Sequence, residues 1–168
     1  MKTRALTLML TVAVGASPVL AVQQNIYKRP TSVTATISGS PTLRDGSFTG
    51  KGTSGICGEI PKMASLTGED TFVIEFTGTQ SGPGSIAAIS FGSKQLVRGI
   101  LTSNLFTLNV SVVTANGGKP PVYVLNTDQK KPGESGTATL SNKGPATTLS
   151  LVGQNDMKEK ITLTIICG

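Results

Sequence analysis

The chain is dominated by short stretches in which apolar and polar residues alternate. In an extended strand such alternation places all the apolar side chains on one face. The last stretch, Lys160–Cys167 (KITLTIIC), is the clearest case. Its odd-numbered positions from 161 to 167 are three aliphatic residues and a cysteine, so the cysteine faces the same way as the core residues.

Turn-forming residues separate these stretches, as in Gly82-Pro83-Gly84, because glycine tolerates positive φ and proline ends strands. Strands at intervals of about 10–15 residues are typical of antiparallel all-β folds. We therefore predict a single β-sandwich domain over residues 31–168, immunoglobulin-like or jelly-roll in type, with about eight strands. The predicted strands are Thr31–Ser38, Asp70–Thr77, Ser85–Phe91 (continued by Gln95–Arg98 after a turn at Gly92-Ser93), Leu105–Val113, Pro121–Asn126, Thr137–Ser141, Thr147–Val152 and Lys160–Cys167.

Two segments lack a clear period. Gly46–Gly58 carries five glycines and predicts an irregular edge strand or a loop. Its GKGTSG stretch is not followed by a helix, so it does not fit a phosphate-binding loop. Gly58–Glu69 is the only candidate for a helical turn, and Pro61 and Gly68 bound it closely.

The first 21 residues have the layout of a secretory signal peptide. A basic start with Lys2 and Arg4 precedes an apolar stretch, and Val19-Leu20-Ala21 ends it with the pattern of a cleavage site. The apolar stretch is shorter than the roughly 20 residues that span a bilayer. We predict cleavage after Ala21, a leader over residues 22–30, no membrane span, and a secreted, periplasmic or extracellular location.

The two cysteines, Cys57 and Cys167, fit an exported chain. An even cysteine count in an oxidising compartment predicts an intramolecular disulfide, with an intermolecular bond or reactive thiols as the alternatives. The bond would close a loop of about 110 residues and hold the final strand, which is otherwise prone to fray.

Composition weighs against several functions. Removal of the signal peptide lowers the formal charge from +6 to +4, and no dense basic run or aromatic platform favours nucleic-acid binding. The chain has no histidine, the commonest general base and zinc ligand. We expect no enzyme activity, no cofactor and no metal site. The scarcity of aromatic residues also argues against a carbohydrate-binding module that stacks sugars on rings.

Two clusters remain as candidate sites. Glu69, Asp70 and Glu75 are the densest carboxylates and offer a less favoured alternative, a hydrolase that needs two carboxyls facing across a cleft. The second cluster lies in NGGKPPVYVLN, which predicts an edge strand protected by prolines or a loop that displays a contact surface. The residues of that possible partner contact are Lys119, Pro120, Pro121 and Tyr123.

The mature start, VQQNI followed by VTATISGSPTLRDGS, resembles the first strand of some bacterial fimbrial subunits over about twenty residues. The alternating final strand that ends in a cysteine is similar to small exported envelope antigens with sandwich folds. The first resemblance implies an alternative function, a pilus-type subunit that assembles by strand exchange. The interpretation favoured by the whole sequence is an exported, non-catalytic β-sandwich that binds an unknown protein or envelope component, or has a structural role there.

Overall fold

The computed structural model of the protein describes residues 27–40, 45–52, 54–65, 68–79, 82–115, 120–143 and 145–168. The predicted signal peptide, residues 22–26 of the predicted leader, and Lys119 lie outside the described residues.

The described residues form two antiparallel sheets, which together make the predicted sandwich. The six-stranded sheet has the order β2-β1-β11-β10-β9-β6 and the five-stranded sheet the order β3-β4-β5-β7-β8. A single 3₁₀ turn, Thr127–Gln129, follows β8, and the described part of the chain has no α-helix. The strands are β1 Pro30–Ser38, β2 Gly46–Lys51, β3 Ser54–Ile60, β4 Thr71–Thr77, β5 Ile86–Ser93, β6 Thr102–Ser103, β7 Thr107–Val112, β8 Val122–Asn126, β9 Ser135–Lys143, β10 Ala146–Gln154 and β11 Lys160–Cys167.

The core lies between the sheets and follows the predicted alternation. In β11, the three aliphatic residues and Cys167 are buried while Lys160 and Thr162 are exposed. In β7, Leu108 and Val110 are fully buried and the intervening Asn109 is exposed. Burial of each such aliphatic side chain contributes about 1.5–3 kcal/mol to folding.

A cluster of aromatic rings fills one end of the core. Phe91 packs against Phe72 in an edge-to-face contact, with ring centroids 6.5 Å apart, and against Phe106 with centroids 5.6 Å apart. All three rings are buried. All five phenylalanines and Tyr123 are buried, while Tyr27 is exposed.

The described residues form eleven strands, three more than predicted from alternation. Two of them, β2 and β3, lie in the glycine-rich stretch, and the third is the two-residue β6. Glycine in β2 has a packing reason, because a Cβ at Gly50 would lie 2.8 Å from Cζ of Phe76. The sequence there shows no apolar alternation because an inward-facing position of the strand is glycine, which leaves room for the ring of Phe76.

The predicted turn at Gly92-Ser93 is wrong. β5 continues through both residues because Gly92 stays paired with Val73 of β4 and Thr107 of β7. The strand ends after Ser93, whose hydroxyl donates to the carbonyl of Leu105 at 2.7 Å. Residues 95–98, predicted to extend the strand, lie outside it, although two of them are buried.

The candidate helical turn at Gly58–Glu69 forms no helix among its described residues, which leave out 66 and 67. Residues 58–60 complete β3, where Gly58 pairs with Val73. The N–H of Ala64 then donates to the carbonyl of Pro61 at 2.9 Å, which closes a tight turn. Pairing with β4 thus decided the conformation of a segment whose own period was ambiguous.

The predicted disulfide joins Cys57 of β3 to Cys167 of β11, and both cysteines are buried. Their Cα atoms lie 6.3 Å apart, within the usual range for a disulfide. The chain itself crosses between the sheets at the same place. Lys28 exchanges two backbone hydrogen bonds with Cys57, at 3.1 and 2.8 Å, and Pro30 pairs with Cys167. One corner of the sandwich is therefore held both by a disulfide and by backbone hydrogen bonds.

Removing the disulfide tests its contribution. We expect the double variant Cys57→Ala/Cys167→Ala to lose about 4–5 kcal/mol of unfolding free energy, because the bond restrains a loop of 110 residues in the unfolded chain. Urea unfolding of the mature protein followed by circular dichroism measures the loss. A loss below about 1 kcal/mol would contradict this role.

A second prediction concerns Gly55 in β3, which has φ +133°. A Cβ there would lie 1.9 Å from the carbonyl oxygen of Glu75, so the strand pair must separate to admit it. We expect Gly55→Ala to lower the unfolding free energy by at least about 2 kcal/mol. Gly82→Ala is the matched control, because nothing lies within 4 Å of its added Cβ, and it should change stability by less than about 0.5 kcal/mol.

Candidate functional site

A row of hydroxyl side chains crosses all six strands of the larger sheet on its outer face. Each member is the direct cross-strand partner of the next, so the row follows the hydrogen-bonding direction of the sheet. Neighbouring strands lie about 4.8 Å apart, which sets the spacing of the row. In strand order from β2 to β6 the row consists of Thr49, Thr34, Thr164, Ser150, Thr139 and Thr102.

Parallel rows lie on either side of this central row. Together the three rows occupy sixteen outward positions, of which thirteen are threonine or serine and one, Lys51, is charged. We call these sixteen residues the hydroxyl face. The second row is Ser47, Thr36, Thr162, Val152 and Thr137, and the third is Lys51, Ser32, Ile166, Thr148 and Ser141.

The face has a local cause in the sequence. Threonine is polar and β-branched, so it suits the solvated side of a strand, where successive side chains alternate between core and water. Such a face would ordinarily also carry lysine and glutamate. Here most described charges lie in turns, as Asp128 and Asp156 do. The outcome is a regular and nearly uncharged surface.

An open groove of about 920 Å³ lies at one end of the hydroxyl face. Its floor includes four of the five members of the second row and the row beyond it, which crosses β1, β11, β10 and β9. Its walls include the segment that joins β8 to β9. The floor residues of these two rows are Thr36, Thr162, Val152, Thr137, Ser38, Lys160, Gln154 and Ser135.

Three lysines and one carboxylate line the groove. Lys130 and Lys131 come from the β8–β9 connection and Lys160 from the start of β11, while Glu134 is the only acidic residue in the lining. All three lysines are exposed. Among the described residues, salt bridges join other pairs and none involves these three lysines. The groove therefore has a net positive charge.

The connection that carries Lys130 and Lys131 is anchored in the core. The buried Thr127 hydroxyl donates to the carbonyl of Phe106 at 3.1 Å and accepts from the N–H of Phe106 at 2.9 Å. The N–H of Lys130 donates back to the carbonyl of Thr127 at 3.2 Å, with Lys130 in the left-handed conformation at φ 48°. These bonds fix the backbone from which the two lysines project.

The β10–β11 turn is anchored through Tyr123. Its hydroxyl donates to the carbonyl of Glu159 at 3.0 Å, and burial, with the nearby Glu159 carboxylate, raises its pKa above the ordinary value. Asn155 is also buried and donates through Nδ2 to the Glu159 carboxylate and to the carbonyl of Val124. The turn that leads into Lys160 is thereby held against β8.

The burial of Tyr123 removes one of the four residues of the partner contact predicted around β8. β8 is an edge strand, as one of the two interpretations required, and Pro120 is exposed while Pro121 is partly buried. Tyr123 is fully buried, so its ring adds nothing to the surface. The exposed side chains of the strand are Val122 and Val124. Any contact at this edge stays a prediction.

Each of the three candidate carboxylates makes contacts of its own. Glu69 forms a salt bridge with Lys94 at 2.8 Å. Asp70 accepts the N–H of Lys62 at 2.8 Å and pairs with the guanidinium of Arg98. Glu75 lies on the outer face of β4. Neither the large groove nor a smaller cavity of about 210 Å³ includes any of the three in its lining. The hydrolase alternative stays a prediction.

The glutamate on β4 has a neighbour of its own. Its carboxylate accepts a hydrogen bond from the hydroxyl of Ser90 at 2.8 Å, across the strand pair in the five-stranded sheet.

The pilus-type alternative also stays a prediction. The described end of the leader is paired, since Lys28 bonds to Cys57 and β1 lies between β2 and β11.

Sequence alternation missed the groove but contained a signal for the hydroxyl face. Threonine or serine occupies the positions from 32 to 38 in β1 and from 135 to 141 in β9 that alternate with the buried residues, and two such positions in each of β10 and β11. The rows themselves depend on strand order and register, which the alternation does not specify.

No family model matches the chain, and neither the curated proteins nor the solved structures contain a significant match to it. Within the described ranges, no group of three or more histidine, cysteine, aspartate or glutamate side chains is placed to hold a metal ion. The described residues also form no helix that is long and apolar enough to cross a membrane.

The Asp70 pair predicts a pH-dependent contribution to stability. The N–H of Lys62 first, and then the Arg98 guanidinium, hold the pKa of Asp70 below its ordinary value of 3.8. A lowered folded-state pKa stabilises the fold above the unfolded-state pKa, and the contribution fades as pH falls through the folded-state pKa. We expect Asp70→Asn to destabilise the protein at pH 7 and the difference from wild type to shrink below pH 3.8.

Urea unfolding of both proteins at pH 7 and at pH 3 measures this change. Glu75→Gln is the control for loss of a carboxylate that makes no salt bridge among the described residues. An Asp70→Asn defect of equal size at both pH values would contradict the assignment.

Proposed function

We propose that the chain is an exported, non-catalytic β-sandwich protein that binds a component of the cell envelope through the hydroxyl face. The proposed export depends on the signal-peptide pattern of residues 1–21. The proposed binding depends on the outer face of the six-stranded sheet.

The single observation that carries the proposal is the alignment of hydroxyl side chains across all six strands. A solvated sheet face needs polar residues, but it does not need the same side-chain group at each of the six positions of a row. Threonine and serine hydroxyls each donate and accept hydrogen bonds. A regular row of them can therefore satisfy an extended ligand that is itself rich in donors and acceptors.

The rigidity of the scaffold supports a binding role. The hydroxyl face lies on paired strands, its central strand β11 is fixed by the disulfide, and the groove walls are anchored by buried hydrogen bonds. Sites built on strands hold their geometry better than sites on loops. A ligand would thus meet a preorganised surface and the entropy cost of ordering it would be small.

Co-sedimentation with isolated envelope fractions of the producing cell tests the proposal. The mature, oxidised protein from Val22 to Gly168 should bind, and Thr162→Glu should weaken binding at least about tenfold, because it places a larger, charged side chain in the row that the hydroxyl face shares with the groove.

The matched control is Asn109→Glu, an exposed mid-strand position on the outer face of the other sheet. It adds the same charge to the opposite side of the sandwich and should leave binding unchanged. Equal loss in both variants would point to charge alone, and absence of any binding would overturn the proposal.

A further inference from the structure

We infer that the envelope component is an acidic polysaccharide, a glycan chain bearing carboxylates, and that it lies in the groove at the end of the hydroxyl face. This inference rests on the proposed function and assigns the ligand class of the same surface. It follows from the charge, chemistry and shape of the groove.

Charge supplies the first argument. Lys130, Lys131 and Lys160 line the groove against a single carboxylate, Glu134. A neutral polymer would gain nothing from this excess, whereas a carboxylated one would pair with it. Ammonium groups on flexible stems also suit carboxylates whose spacing varies along a chain.

The floor supplies the second argument. Between the lysines lie Thr36, Thr137 and Thr162, whose hydroxyls match the mixed donor and acceptor character of sugar hydroxyls. The only apolar side chain exposed on this part of the floor is Val152. A membrane surface would require an apolar face beside the cations, so this floor favours a sugar over a lipid.

The absence of aromatic side chains from the groove lining favours a charged ligand over a neutral sugar. No aromatic side chain lines the groove, and Tyr123 and the phenylalanines named above are buried. The stacking by which many proteins bind neutral sugars is absent from the groove lining. Hydroxyl contacts alone are weak in water because they replace equivalent contacts with solvent. The lysines supply the remaining attraction.

The twist of the sheet favours a flexible polymer over a flat, rigid surface as the ligand. Adjacent strands in a sheet rotate by about 20–25° relative to one another, so a row across several strands cannot lie flat. A rigid lattice would meet only part of such a row. A flexible glycan can follow it.

Isothermal titration calorimetry of the mature, oxidised protein with three polymers tests the inference. The probes are polygalacturonate, neutral dextran and poly-glutamate of matched charge density. We expect binding to polygalacturonate that weakens with added salt, binding to poly-glutamate that is at least about tenfold weaker, and no binding to dextran. Binding of poly-glutamate at equal strength would overturn the inference in favour of an acidic peptide, and binding of dextran would overturn the role of charge.

Variants then locate the site. The triple variant Lys130→Gln/Lys131→Gln/Lys160→Gln should lose at least about tenfold in affinity for polygalacturonate. The control is Arg29→Gln/Lys62→Gln, which removes two exposed cations that do not line the groove and should retain affinity within about twofold. Equal loss in both proteins would show general attraction and overturn the site.

The envelope experiment separates the two proposals. If Thr162→Glu weakens envelope binding while polygalacturonate does not bind, the acidic-glycan inference fails and the binding role of the face stands. If the wild-type protein does not bind envelope fractions, the proposed function fails whatever the polymer result.

Discussion

The corner formed by Lys28, Cys57 and Cys167 links the two sheets by a covalent bond. Its covalent and hydrogen-bonded links lie side by side, since Lys28 pairs with Cys57 through the backbone and Cys57 bonds to Cys167 through sulfur. The strand fixed in this way, β11, lies in the interior of its sheet between β1 and β10. Fraying of β11 would therefore open the sheet through its middle.

The hydroxyl face depends on the same corner. Thr162 and Thr164 of β11 connect the half of each row on β1 and β2 to the half on β10 and β9. Without β11 in register, the rows would break into short pieces. The two sheets therefore contribute differently to the proposed function. The five-stranded sheet supplies most of the large core side chains, and the six-stranded sheet supplies a continuous outer surface.

Such an uncharged outer surface carries a risk of edge-to-edge association, and the edges show how it is limited. β6 has only two residues, β2 ends at Lys51, and β8 follows Pro120 and Pro121. Short strands, lysine and proline are the usual means by which sheet edges avoid pairing with other chains. Most described charges lie in turns, which leaves the hydroxyl face with Lys51 as its one charged residue.

The sequence by itself determined the strands with a clean two-residue period, the inward position of Cys167 and the disulfide. The strands and the facing of Cys167 depend on local alternation. The disulfide follows because two cysteines allow only one intramolecular pair. The tertiary structure alone decided where glycine continues a strand, as Gly92 does between two paired neighbours, and that Tyr123 is buried. It also decided the hydroxyl rows and the lysine groove, because cross-strand register and the packing of connections bring together residues that are far apart in the chain.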